Sequence, residues 1–289
     1  AGMLSRFYRG KNLCKMRNMS IPRKDLLNTQ KYLSTNLIQT SRGCPNCCSF
    51  CSIHLISGRE YRFRLISEVI SEIETFPYPL ALFVDDNIVG HNEHARELFK
   101  ALIPLRISWT AQATLSIAYN DELLRLASRS GCRYLLIGFE SLSEKNITII
   151  GKTRTNKVSE YAKVVKKIHD YGIGIAGTFI LGLDNDDTSA FDRTADFIEE
   201  NRIDAPTVGV LTPYPGSPLF KKLESEGRLL HRNWQEYSHT IGKVVFRPKL
   251  MTADQLEEGH RLVGQRLFSM KSIITRVSGV RGHLPYVTA

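Results

Sequence analysis

From Leu37 onward, short apolar and β-branched runs alternate with amphipathic stretches of helical period, and this alternation limits the fold more than any other feature of the chain. Runs at 36–40, 80–84, 107–113, 134–139, 173–181 and 207–212 read as strands, and those at 67–76, 93–102, 121–128, 159–171 and 189–201 as helices. Strands joined through helices are expected to lie parallel in one sheet, with the helices packed outside it. Ser67, Asn120 and Ser159 stand where helix caps are expected, and Gly131 and Gly172 where two helices should stop. The fold class is α/β. Period alone leaves both an open sheet and a partial barrel in play.

Either arrangement binds ligands at the carboxyl ends of its strands. The first run ends at Ser41, Arg42, Gly43 and Cys44, the second at Asp85, Asp86 and Asn87, and the third near Gln112. The fourth ends at Glu140 and Ser141, the fifth at Gly182 and Asp184, and the sixth at Thr212, Pro213 and Tyr214. Polar groups are thus expected on one rim. Glu140 follows an apolar run directly, a costly place for an acid unless it is paired or at a rim. Asp85 and Asp86 fit cofactor contact or a general base, although an acidic pair there can also cap a loop. Gln112 is expected either to meet a ligand or to satisfy a strand end. Asp184, Asp186 and Asp187 read as a solvated turn capping the next helix.

The chain has 289 residues, of which 42% are hydrophobic and 24% charged, which excludes disordered and fibrous classes and allows one large domain or two modest ones. Its least polar long stretch, 172–183, is glycine-rich and well short of the roughly 20 apolar residues of a membrane span. No apolar run backs the basic N-terminus, which argues against a secretory signal. The net charge of +10 sits at the ends: residues 1–24 hold seven bases and 259–289 five, with no acid in either, so 25–258 hold 27 bases and all 29 acids. Such tails can bind phosphate backbones, although a solvated tail is the commoner reason for them.

Four of the six cysteines, Cys44, Cys47, Cys48 and Cys51, fall within eight residues, while Cys14 and Cys132 stand alone. Neighbours this dense lack distant partners for disulfides, so a reducing, cytoplasmic setting and a metal or cluster site fit better. Closely spaced thiols on one loop converge without a large loop-closure cost. Cys44, Cys48 and Cys51 stand as C-x3-C-x2-C, and three sulfurs on a four-iron cube leave one iron for an outside ligand. Gly43 and Pro45 allow a tight turn, and Phe50 would shield the site. Zinc is the rival, since Cys44, Cys47, Cys48 and Cys51 also form two C-x2-C knuckles. Zinc knuckles are usually a dozen or more residues apart, so abutting ones fit poorly. The triad Cys44, Cys47 and Cys51 is formally open too; spacing favours Cys48. The eight histidines show no ligand spacing.

The run RGCPNCCSFC, followed by a βα pattern, resembles the radical S-adenosylmethionine superfamily. Further matching stretches are FVDDN at 83–87, IGFES at 137–141, GTFILGLD at 177–184 and LTPYPGSPL at 211–219. With IPRKDLL at 21–27 and the segment 234–251, the set is similar to the cobalamin-linked branch that includes methylases and the anaerobic porphyrin-ring cyclase. The resemblance implies a partial (βα)6 TIM-like barrel over 31–212, a basic linker or arm over 1–30 and a C-terminal extension over 213–289. It also implies a 4Fe-4S cluster on Cys44, Cys48 and Cys51, whose fourth iron is chelated by S-adenosylmethionine. One electron would cleave the sulfonium to methionine and a 5′-deoxyadenosyl radical, which takes hydrogen from a small or lipid-like substrate. A flavodoxin or ferredoxin would be the electron donor. On the same basis Phe50 would lie near the adenine, Asp85, Asp86 and Asn87 near the methionine amino group, Glu140 near the ribose and Gly182 beside the adenine.

The sequence departs from the branch in lacking a preceding cobalamin domain and an Asp-x-His-x-x-Gly segment. The expectation is therefore either a piece of a longer protein, as the Ala1 start allows, or an enzyme working without cobalamin. An RNA-modifying radical enzyme and a metal-binding module without turnover are the alternative readings. Tyr214, Trp234 and Tyr237 fit a substrate mouth or plain packing.

Overall fold

A computed structural model describes residues 13–277 except 33 and 240. Arg6, Arg9, Lys11 and Arg281, part of the expected basic ends, lie outside the described residues. The elements run β1 (Leu37–Ile38), β2 (Ser41–Arg42), α1 (Ile53–Ile56), β3 (Arg62–Phe63), α2 (Ile66–Ile73), β4 (Leu80–Phe83), α3 (Asn92–Leu102), β5 (Ser108–Ala113) and α4 (Asp121–Arg129). They continue with β6 (Cys132–Glu140), α5 (Glu144–Ile149), α6 (Tyr161–Asp170), β7 (Gly174–Leu181), α7 (Ser189–Glu200), β8 (Thr207–Val210), α8 (Pro218–Ser225), α9 (Ala253–Leu267) and α10 (Met270–Val277).

Six strands form one parallel sheet in the order β1-β4-β5-β6-β7-β8, while β2 and β3 pair antiparallel as a separate hairpin. Sequential order with crossovers of one hand puts the crossover helices on the same face and leaves the other face toward a lumen. The strands carry that division in their alternation. Trp109, Ala111, Leu135, Ile137, Ile175 and Phe179 are buried on the helix side. Thr110, Gln112, Leu136 and Thr178, at the intervening positions, line cavities on the other. Trp109 shows how the helix side is filled: its ring stacks on Phe99 at 5.1 Å and its Nε1 donates to the Ser130 carbonyl at 3.0 Å.

All six predicted strands and all five predicted helices are present, with shifted ends. Asn120 caps α4 as expected, accepting from the Leu123 amide at 3.1 Å, and Gly131 and Gly172 take positive φ just past α4 and α6. Ser67 and Ser159 do not cap: α2 begins at Ile66 after Leu65, and Ser159 sits inside a 3-10 turn that precedes α6. The hairpin, α5 and α8 have no sequence counterpart above. They are short, and their apolar residues reach the core through tertiary contacts that no local period reveals. In the C-terminal extension the chain breaks at Phe268 and Ser269, between α9 and α10.

The aspartates after β7 do not form a solvated turn. Only Asp187 does so, its side chain accepting from Ser189. Asp186 is buried and accepts from the amides of Gly182 and Leu183 at 3.1 and 2.9 Å and from Asn146 at 2.7 Å. Burial pushes its carboxyl up to about 6 against those donors. Burial also works to raise Asp184, but Lys222, Arg228 and Lys249, at 2.7, 2.9 and 3.1 Å, hold it at about 2. No helix among the described residues is long and apolar enough to cross a membrane.

Candidate functional site

The site starts from a latch. Asp85, fully buried after β4, accepts from the Thr40 amide and hydroxyl and from the Ser41 amide and hydroxyl, at 2.5–3.2 Å. Burial raises its carboxyl above the usual carboxylate range, and the four donors oppose that rise. The two-residue β1 is thereby tied to its neighbour by a side chain, which fixes where the next loop begins. Gly43 then takes φ +99°, and a Cβ there would come within 2.2 Å of the Glu60 carbonyl, so the loop turns against the hairpin where no other side chain fits. The loop is fastened at its middle as well: the Ser49 amide donates to Ile150 and its carbonyl accepts from Leu219, at 3.0 and 2.8 Å.

This loop delivers Cys44, Cys48 and Cys51 to one cavity of about 260 Å³, lined also by Phe50, Asp86, Asn87, Gln112, Glu140 and Lys152. Cys47 is exposed and turned to the Pro45 carbonyl, at 3.6 Å. Burial pushes the Cys48 thiol up to about 11 and raises those of Cys44 and Cys51. Among the described residues no three His, Cys, Asp or Glu side chains gather closely enough to hold a single ion. The thiols spread around a cavity instead, and a polynuclear cluster has that wider footprint.

In the same cavity, Asp86 Oδ2 and Asn87 Oδ1 are buried and lack hydrogen-bond partners. Burial lifts the Asp86 carboxyl above its ordinary value, countered by the Gly43 backbone. Two orphaned acceptors call for a ligand that brings donors, such as an amino group. On the far wall, a β-bulge between Gly138 and Glu140 and a positive φ of 65° at Glu140 turn its carboxylate to Lys152, at 2.6 Å. Burial acts to lower the Lys152 pKa, but Glu140 and Cys48 outweigh it, so the ammonium stays charged. Gly138 leaves the room for this pair: a Cβ would stand 2.2 Å from Glu140 Oε1 and 2.8 Å from Lys152 Nζ.

Phe50, Asp86, Asn87, Gln112 and Glu140 are thus brought together with the three cysteines. Asp85 is not in the lining and acts as the latch. Gly182 also lies apart, with φ +92° and the place of its absent Cβ 2.4 Å from Leu256 of α9. Lys152 and Thr178 were not anticipated, since Lys152 follows the unread helix α5 and one lysine among 39 bases carries no local signal. Tyr61 was missed as well; its hydroxyl meets Asn87 Nδ2 at 3.5 Å. Five of the eight terminal bases among the described residues are engaged within the fold. Lys24 pairs with Glu72, Arg23 with Asp25, Arg261 with Glu258, and Arg266 with Asp196 and Glu199, while the buried Arg276 donates to backbone carbonyls.

The Radical SAM superfamily profile matches residues 38–198, from β1 into α7. The chain belongs to the radical SAM superfamily. Radical SAM proteins use a 4Fe-4S cluster and S-adenosylmethionine. Among curated relatives, the bacteriochlorophyllide d C-12(1)-methyltransferase of Chlorobaculum tepidum is 32% identical over 288 residues, 96% of this chain and 62% of that protein. The hopanoid C-2 methylase of Rhodopseudomonas palustris is 31% identical over 226 residues, 75% of this chain and 42% of that protein. The chain therefore spans only part of the length of these radical SAM relatives. In fold it is similar to the radical S-adenosylmethionine methyltransferase TsrM of Kitasatospora setae, solved with cobalamin and a 4Fe-4S cluster. The TM-score is 0.60 at 16% identity, covering 66% of this chain and 39% of that one.

Proposed function

We propose that this chain is the radical-generating barrel of a methylase or cyclase acting on a small or lipid-like molecule, of the kinds named by the tetrapyrrole and hopanoid relatives. The carrying observation is that Cys44, Cys48 and Cys51, but not Cys47, line one cavity together with the orphaned acceptors of Asp86 and Asn87. When bound, the cluster and S-adenosylmethionine supply one-electron cleavage of the sulfonium C–S bond to methionine and a 5′-deoxyadenosyl radical. The chain's residues do the rest. Cys44, Cys48 and Cys51 would hold the cluster through their thiolates, with the methionine amino and carboxylate groups completing its binding. Asp86 and Asn87 accept from that amino group, while Phe50 packs beside the adenine and Glu140, held by Lys152, faces the ribose. Gln112 lines the same cavity and the one beside it, where it would meet a bound molecule.

Reduced, closely spaced cysteines suit an anoxic cytoplasm, where a flavodoxin or ferredoxin would supply the electron. RNA is the weaker reading, because the described terminal bases are mostly engaged within the fold. Anaerobic reconstitution should give about four irons and four sulfides per chain and release 5′-deoxyadenosine under strong reductant. Cys48→Ala should lose the cluster and the release, whereas Cys47→Ala should keep both. A folded, cluster-loaded protein that leaves S-adenosylmethionine uncleaved, or equal loss in the two variants, would overturn the proposal.

A further inference from the structure

A second cavity of about 280 Å³, largely apolar, lies beside the first and shares Phe50, Cys51, Glu140 and Thr178 with it. Val210, Tyr214 and His239 line this outer space and not the first. His239 is held there from three sides. Its Nδ1 is 2.8 Å from the Tyr214 hydroxyl, and its carbonyl accepts from the Val210 amide of β8 at 3.3 Å. The ring and Cβ lie close over Gly209, where a Cβ would stand 3.1–3.4 Å from His239 atoms. The imidazole is exposed and lines this cavity, and among the described residues no hydrogen bond engages its Nε2.

We propose that His239 is the axial ligand for the central metal of a metallated tetrapyrrole substrate, and that Tyr214 is a positioning residue for that ligand. This rests on the radical reading of the adjoining cavity and specifies its substrate class. With Nδ1–H donating to the tyrosine oxygen, Nε2 keeps its lone pair, which is the arrangement by which a second shell fixes a ligating histidine. Nε2 then gives its lone pair to the open axial position of the metal, displacing a weakly held solvent molecule, with no electron or proton transferred.

The placement also fits the shape of such a molecule. Its reactive alkyl carbons are at the edge of the macrocycle and its metal is at the centre, so a metal ligand must be set back from the radical source. His239 is set back in this way, lining the outer cavity alone, whereas Phe50, Glu140 and Thr178 stand at the boundary of the two. The cavity is too small for a whole macrocycle. The edge enters and the remainder emerges where His239 is exposed. A hopanoid-type hydrocarbon, by contrast, gives an imidazole nothing to bind.

The test titrates cluster-loaded protein with zinc protoporphyrin IX and with metal-free protoporphyrin IX, following the Soret band. The zinc macrocycle should bind with a band shift typical of an imidazole ligand. His239→Ala should weaken it by about tenfold or more while leaving the metal-free form unaffected, and Tyr214→Phe should weaken it by a smaller factor. Added imidazole should restore the shifted band in His239→Ala. His239→Gln and the iron content of each variant check that folding is retained. Equal affinity for both macrocycles, or an unchanged zinc spectrum in a cluster-loaded His239→Ala, would overturn the proposal. Neither macrocycle binding to protein that still releases 5′-deoxyadenosine would defeat this inference alone. Zinc-selective binding without that release would defeat the radical reading instead.

Discussion

Replacing Lys152 by methionine is the most demanding test of the site's electrostatics. Lys152 Nζ is 2.6 Å from Glu140 Oε1 and 3.2 Å from the Gly138 carbonyl, and both side chains of the pair are 9% exposed. At an effective dielectric constant of about 20, unit charges at this separation attract by about 6 kcal/mol. Part of that is cancelled because the lysine need no longer be desolvated. The remaining cost of stranding a buried carboxylate is about 3–5 kcal/mol, a large share of a typical folding free energy. Chemical denaturation followed by the buried Trp109 reads it directly. The Lys152→Met, Glu140→Gln double variant should recover most of the loss, because neither charge is then buried alone. A single variant costing under about 1 kcal/mol, or a double variant as unstable as the two singles added, would refute the reasoning.

Gly43→Ala should leave the helices intact by circular dichroism and sharply lower iron retention, since φ +99° and the Glu60 carbonyl at 2.2 Å make the loop start intolerant of a methyl group; full iron content in that variant would contradict the loop geometry. Asp186, with a folded pKa of about 6 above its unfolded value of about 3.9, favours the folded state most when protonated. Its contribution is fully present below about pH 4 and is lost as the pH rises through 6. The thermal midpoint of Asp186→Asn should therefore gain on the wild type between pH 4 and 6, and parallel pH curves would remove this assignment.

Much of the architecture was legible because the strands are half a core. Residues such as Leu135, Ile137, Ile175 and Phe179 must be apolar to meet helices, and their spacing writes the βα alternation into the chain. That the three cysteines share one cavity was legible for a different reason: they stand close together on one loop. Asp86, Asn87, Gln112 and Glu140 followed from their places at strand ends. Lys152 could not be read this way, because it reaches Glu140 from a loop after a six-residue helix with no amphipathic period of its own. Asp85 was placed in the right region with the wrong partner, since a buried carboxylate and a ligand-facing one look the same at a strand end. Gly182 likewise answers to Leu256, a residue 74 positions later whose approach no local pattern announces.

The alternation of the sheet has an evolutionary corollary. Stability resides on the side of each strand that meets the helices, while the opposite side, carrying Thr110, Gln112, Leu136 and Thr178, contributes little to holding the protein together. Selectivity and robustness are therefore written on alternate letters of the same segments. Descendants of such a barrel can exchange one set, and with it the molecules they accept, while the other set keeps the scaffold standing.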